Sequence, residues 1–533
     1  MNKYKLSNDI LILQLLVKVE NHLEVIDKVI LTLNDKKYTF NSLAEYHWQF
    51  NRIREPYTKY VIFVDNLDRL YALDKELQDI SDEPKWKNTN VVEGDGTKVY
   101  VSNIIEVRTK LSKQDIYRNL STMLTNDLAN KEDSIRIYTK YLEQLKEIYI
   151  YMNKIPKSVG RIEKQSLQNK LENDIEWQSF AKYTKVKDKQ MFDDMVKCKT
   201  GGLYGNISPW NVINKNCISM DRKSAYPYQM LTKYYPFHSC YIVKNPDMKD
   251  YENFLKDKLY MIVFKAIGVV NVKMYKMNYT EKDFEDGVVM TNDMFDVFRL
   301  AYIYKSIEVE RLYIWGRRRL LPKVLRGHLA DLYKDKELCS KDDPERDIKK
   351  IRINLWYGLG LQYLSYEYDD PKARYRLYIP PVIGLWTIGY QMKEMALILE
   401  QMNTLNVVKF DTDSITYKGE HNNIIFEKDN EKVEKILYNI YEDDLLNKLG
   451  KWENEFDRPE DIKLLGKKQY VKLNSKQVKA AGCMTNKDSF DQVMKDGVIK
   501  DGIISYDYAN NKVHRRDYRT NTKTFERYMS RWH

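Results

Sequence analysis

The chain has 533 residues, 43% of them hydrophobic, which is enough for a large core in several lobes and excludes a disordered or fibrous protein. Lys and Arg number 88 against 77 Asp and Glu, a net charge of +11 that suits a polyanionic partner without demanding one. Five scattered cysteines without CxxC spacing argue against a zinc or redox motif, and the longest early apolar run, Ile10–Val17, is too short to span a bilayer and lacks a cleavage region; the expected setting is the cytoplasm, with no membrane insertion.

From Met1 to about Trp177 short strand-like runs (VILTL, YVIFV, TKVYV, IIEVR) alternate with helical patterns, which predicts an α/β module; Ser134–Met152 reads as an amphipathic helix. Loop-like KTGGLYG follows at Lys199–Gly205. Its Gly201-Gly202 pair permits close backbone approach, and a plain turn and a substrate-contacting loop remain equally open. NCISMDRKSAYPYQML then passes from a strand-like run into a turn or helix punctuated by Pro227, placing Asp221 at a strand end.

The region from about Lys233 to Leu325 reads as a mixed insertion carrying the basic stretch GRRRLLPKVLRGH. A helix is expected from Pro344 to Tyr357, with Lys350, Asn354 and Tyr357 on one face and Gly358 and Gly360 ending it. YLSYEYDDPKARYRLY reads as a hairpin, and a long helix follows from about Ile383 to Met402. Next comes VVKFDTDSITYKG, a strand, tight turn and strand with Asp411 and Asp413 at the tip, both leaning to one side if the backbone is extended. Alone, Asp-Thr-Asp is a polar turn; hard oxygen ligands at a hairpin tip also suit Mg²⁺. Farther on, LLGKKQYVKL puts Lys468 and Tyr470 on one side of a strand, and the Lys- and Arg-rich tail reads as a small terminal lobe.

Taken in order, DRKSAYP at Asp221, KIRINLWYG at Lys350, DTDS at Asp411 and KQY at Lys468 resemble the D-x-x-S-L-Y-P, K-x-x-x-N-S-x-Y-G, D-T-D-S and K-x-Y signatures of family B DNA polymerases. Only Ala225 and Leu355 depart from the fixed letters. Gly201-Gly202 before the first motif and AAGCM at Ala480–Met484 are similar to the protein-primed subgroup of phages and linear plasmids.

The resemblance implies an α/β (α+β) right-hand polymerase with an antiparallel-sheet palm, helical fingers and a small thumb, preceded by an RNase H-like exonuclease-like domain. The corresponding boundaries are residues 1–195 for the exonuclease-like domain, 196–231 for the palm with the first motif, and 232–325 for an insertion resembling the terminal-protein-docking region. Residues 326–361 would be fingers, 362–381 a shortened hairpin insertion, 382–485 palm, and 486–533 thumb. Asp221, Asp413 and Asp411 would hold two Mg²⁺ ions, with Mn²⁺ able to substitute. Ser224, Tyr226, Lys350, Asn354 and Tyr357 would bind the incoming dNTP, Tyr226 beneath the sugar and Lys350 on the triphosphate. Gly201, Gly202, Thr412, Lys468 and Tyr470 would serve DNA and primer. The implied partners are a DNA template-primer, dNTPs and, in the protein-primed subgroup, a terminal protein; the implied state is monomeric.

The exonuclease signatures look emptied. In YVIFVDNLDRLY, Asn66 and Leu67 match the second one, but Leu70 stands where its aspartate belongs; Leu142 stands likewise after Tyr138 in the third, and no D-x-E occurs in Leu11–Val19. Glu20, Asp65, Asp68 and Glu143 lie nearby with different spacing, and Lys199 replaces the family's tyrosine before Gly-Gly. The expectation is templated DNA synthesis without proofreading. The competing expectations are untemplated or specialised synthesis by the same site and, from another class, a non-catalytic nucleic-acid-binding relative.

Overall fold

A computed structural model describes, with interruptions, residues 5–119, 163–480 and 490–516. The chain divides into two compact units, one of residues 1–162, 468–471 and 476–533, the other of residues 163–467 and 472–475. Among the described residues no helix is long and apolar enough to cross a membrane. The amphipathic Ser134–Met152 stretch lies outside the described residues, as does most of the expected hairpin, of which Tyr363–Ser365 form a short 3₁₀ turn.

The first unit is a seven-stranded mixed sheet. Strands β1 (Leu11–Glu20), β2 (Leu23–Leu33) and β3 (Lys36–Phe40) form an antiparallel meander. β4 (Val61–Val64) lies parallel to β1, and the sheet continues through β5 (Lys85–Lys87), β6 (Asn103–Arg108) and β7 (Ile116–Asn119), in the order β3-β2-β1-β4-β7-β6-β5. Alternation does the sorting: Leu11, Leu13 and Leu15 on β1 share one face with Val29 and Leu31 on β2 in an apolar cluster that also takes Leu67 and Leu70. Helix α1 (Leu43–Ile53) begins at Ser42, whose side chain accepts from the Glu45 amide at 3.1 Å.

The second unit opens with helices α2 (Ile175–Tyr183) and α3 (Lys189–Cys198), then builds the sheet that carries the first and third signatures. Its strands are β8 (Tyr204–Asn206), β9 (Ile213–Arg222), β14 (Val407–Asp411), β15 (Ser414–Lys418), β16 (Trp452–Asn454) and β17 (Glu460–Gly466). The antiparallel order is β8-β14-β15-β9-β17, with β16 also pairing β9. Between these strands in sequence lie helix α4 (Ala225–Thr232) and the expected mixed insertion. That insertion contains β10 (Tyr234–Lys244), α5 (Met248–Leu255), β11 (Leu259–Ile267), β12 (Val288–Thr291), α6 (Asn292–Ala301) and β13 (Ser306–Leu320). Its strands form a four-stranded sheet in the order β10-β13-β11-β12.

Helix α7 (Lys323–Glu337) leads to α8 (Pro344–Gln362), and α9 (Pro381–Gln401) crosses behind them, buried along most of its length. The sequence expectation that Gly358 and Gly360 end α8 is corrected: the helix runs on to Gln362. The glycine serves contact instead. A Cβ on Gly360 would lie 3.0 Å from the Gly384 amide nitrogen, and one on Gly384 would lie 2.6 Å from the Tyr357 carbonyl, so the two helices meet backbone to backbone.

Candidate active site

The β14–β15 hairpin has Asp411 paired with Ser414 across a turn of Thr412 and Asp413. The backbone is not extended here, as the sequence suggested. Thr412 adopts φ 57° and the Asp413 amide donates to the Asp411 carbonyl at 2.6 Å, a tight γ-type bend that an ordinary strand cannot make. Neighbours hold it in place: the Thr412 amide donates to the Leu203 carbonyl at 2.7 Å and the Arg222 amide to the Asp413 carbonyl at 2.8 Å. Gly202 explains itself at this turn, because a Cβ there would sit 2.9 Å from the Thr412 side chain; Gly201 has open space.

Strand β9 sets Asp221 opposite Ser414, beside Asp413. Each carboxyl feels the other. Burial and then the Asp413 charge push Asp221 up to about 8, while burial and then Asp411 push Asp413 up to about 6; the Lys350 ammonium pulls both the other way. This stress is what a divalent cation relieves, so the carboxylates fit a metal. Among the described residues no three such side chains close into a preformed cage. Mg²⁺ typically takes one or two carboxylates and completes its shell with water and phosphate oxygens.

Helix α8 brings the second signature to the same place. Tyr357 packs at a tilt of 31° against Tyr226 with ring centroids 4.1 Å apart, and the phenol of Tyr226 is raised by burial first, then by Tyr357 and the Asp413 charge. Lys350 is exposed and Asn354 half-buried on that helix. Ser224, with φ 50°, begins α4, and its hydroxyl accepts from Lys336 Nζ at 3.0 Å. Tyr470 is half-buried on β18 (Gln469–Lys472), in the first unit as divided above; Lys468 lies outside the described residues.

Two groups escaped the sequence reading. Lys336 is 4% exposed and burial lowers it to about 8, with Glu337 at 3.0 Å as its counter-ion. The charged end of α7 reads as a solvated face, so nothing marked it. Arg222 is the other. It is 2% exposed, donates to the Gly450 carbonyl at 2.8 Å, and pairs with Glu394 and Asp429. Against a burial penalty working the other way, Arg222 and Lys233 hold Glu394 down to about 2. From Glu394 the network passes to Gln229 at 2.7 Å and to Gln391 at 3.1 Å, whose amide donates to the Thr412 carbonyl at 3.1 Å. A visible signal existed: Gln391, Lys393 and Glu394 form a polar cluster in the largely apolar α9.

In the first unit, Leu70 is fully buried. The buried acids described there are paired: Asp74 with His47 at 2.7 Å, and Asp115 with Arg54 at 3.0 Å. Asp65, Asp68, Tyr138, Leu142 and Glu143 lie outside the described residues, and so does the side chain of Glu20.

No protein-family profile and no curated protein matches the sequence. Solved structures do. Phi29 DNA polymerase complexed with primer-template DNA matches with a TM-score of 0.59 at 13% identity over 92% of this chain and 93% of that one. The same polymerase with primer-template DNA and incoming nucleotides matches with a TM-score of 0.56 at 12% identity, over 97% and 99%. The chain has the fold of the Phi29 DNA polymerase structures.

Proposed function

We propose that the protein is a DNA-directed DNA polymerase that adds dNTPs to a primer 3′-hydroxyl on a DNA template, working as a monomer. The observation that carries this reading is the register of β9 against the β14–β15 hairpin, which sets Asp221 beside Asp413 under mutual repulsion, with Lys350 as the opposing charge. Asp221 and Asp413, with Asp411 alongside, would hold two Mg²⁺ ions or Mn²⁺; when bound, these activate the attacking hydroxyl and neutralise the triphosphate. Lys350 adds positive charge on the leaving-group side. Tyr226 and Tyr357 present an aromatic surface to the sugar and nascent base pair, and Asn354 lines the same helix face. Ser224 stands at the start of α4 to meet the triphosphate, with Lys336 fixing its hydroxyl.

On this reading β8, β9 and the hairpin sheet are the palm, α7 and α8 the fingers, and residues 486–533 the thumb, with Lys468 and Tyr470 on the primer strand. Gly201, Gly202 and Thr412 keep the turn in shape near the DNA. The residues 1–195 form an exonuclease-like module that does not edit, supported by Leu70 in its core and the ion-paired Asp74 and Asp115. The resemblance to the protein-primed subgroup makes a terminal protein the natural partner of residues 232–325, in the cytoplasm of a phage- or plasmid-bearing host.

Primer extension tests the reading. Asp413→Asn lowers dNTP incorporation by about a thousandfold or more, and full activity in that variant refutes the metal assignment. Extension of the primer without template would instead make the enzyme an untemplated transferase.

A further inference from the structure

We propose that a cavity in the second unit, apart from the carboxylates, binds a nucleoside polyphosphate. The cavity has a volume of about 420 Å³ and lies among the start of β10, the end of α5, α6, the basic strand β13 and α9. None of the residues assigned above to metal, dNTP or primer lines it. Its volume is that of a small-ligand site.

Its charge is one-sided. Lys256, Lys258, Arg299 and Arg318 line it. Lys258 Nζ meets a backbone carbonyl, Gly316, at 3.1 Å, and Lys256 Nζ meets the Asn253 side-chain oxygen at 2.8 Å. Arg318 has Asp257 at 3.6 Å, out on the surface, and Arg299 makes no hydrogen bond or ion pair among the described residues. The two carboxylates in the lining offset these four only in part: Lys393 bridges both, Asp293 at 2.9 Å and Asp296 at 2.6 Å, and its single charge leaves one net negative charge against the four. Lys233 is likewise spent on Glu394. Four cations converging on one cavity repel one another, and an oligoanion removes that repulsion.

The aromatic part specifies the rest of the ligand. Tyr234 is 51% exposed, and the Arg318 guanidinium stands 5.7 Å from its ring centroid. That pair offers a flat face flanked by a cation, which suits a base attached to phosphates. Inorganic polyphosphate shares the charge chemistry and lacks the ring.

The inference does not rest on the polymerase reading, and its test avoids the carboxylates. The full chain is titrated with methylanthraniloyl-ATP in EDTA, where metal-carried binding is removed. One saturable site is expected, retained in Asp413→Asn and weakened about tenfold or more in the double variant Lys258→Glu/Arg299→Glu, the loss of two charge-assisted contacts. Tyr234→Leu, which leaves the charges in place, is expected to remove the preference for ATP over tripolyphosphate as competitor. Absence of binding in EDTA, or binding that the double variant leaves intact, overturns the proposal. Displacement by a single-stranded oligodeoxynucleotide at lower concentration than ATP overturns the mononucleotide assignment.

Discussion

Asp221 and Asp413 are held where a neutral side chain would sit more comfortably. The folded chain keeps protons on them that the unfolded chain releases near the ordinary carboxylate range, so their contribution to stability is intact at low pH and is lost as pH rises through the folded values, about 6 for Asp413 and about 8 for Asp221. In EDTA the melting temperature should therefore fall between about pH 4 and pH 8, by an amount worth on the order of 2 kcal/mol after allowance for relaxation and solvent. Adding Mg²⁺ should restore it, and Asp221→Asn should melt higher than the parent in EDTA at pH 8 while losing activity. A flat melting profile across that window would remove the electrostatic case for a cation. At Tyr226, whose ring packs on Tyr357, Tyr226→Val should raise ribonucleotide incorporation relative to dNTPs about tenfold or more, read as the ratio of kcat/KM values.

Helices α8 and α9 show what a sequence pattern conveys and what it hides. The period of Lys350, Asn354 and Tyr357 gave the helix itself, because that depends on local spacing alone. Gly358 and Gly360 misled, because a terminating glycine and one that admits a neighbouring helix look the same until the neighbour is known. Gly384→Val should cost about 1–3 kcal/mol by overpacking against Leu361 and the Tyr357 carbonyl, and should lower kcat as Tyr357 shifts. On its other face α8 is tied by Arg352 to Glu163, a carboxylate with 1% side-chain exposure that also meets His328 at 3.1 Å. Against burial, His328 and Arg352 hold Glu163 below its ordinary value, so this clamp is present at neutral pH and weakens as pH falls through the Glu163 pKa. Glu163→Gln should cost about 1–2 kcal/mol, measured by urea denaturation, with the loss shrinking as pH falls below the ordinary carboxylate range. No local pattern marks Glu163, since its partners lie more than 160 residues away.

Across the whole chain, the order of four short signatures pointed to a family B polymerase, and the fold shared with the Phi29 DNA polymerase structures at 12–13% identity agrees with that reading at the level of the fold. Three of the signatures fall on well-defined backbone: a γ-type bend at Thr412, a left-handed Ser224, a helix face at Lys350. What lay outside the signatures, such as the Arg222–Glu394 network, depends on pairings between distant segments that no single stretch encodes. The N-terminal unit buries Leu70 in the apolar cluster beside its sheet. A single strand labelled at its 3′ end should accordingly survive prolonged incubation with Mg²⁺ and enzyme. Shortening that persists in Asp221→Asn would show that a nuclease operates in this chain.

Strand β9 ends with a carboxylate and a guanidinium on successive residues, Asp221 toward the hairpin turn and Arg222 into a closed ionic core. Successive residues of a strand face opposite ways, so sliding β9 by one position would exchange them, burying an unpaired acid and turning a cation toward the acids of the hairpin. Length changes between Cys217 and Arg222 are thus opposed by the far side of the sheet as well as by the chemistry, whereas the strand is already irregular between Asn214 and Cys217. Near its Asp221 end the strand tolerates a substitution far better than an insertion or deletion.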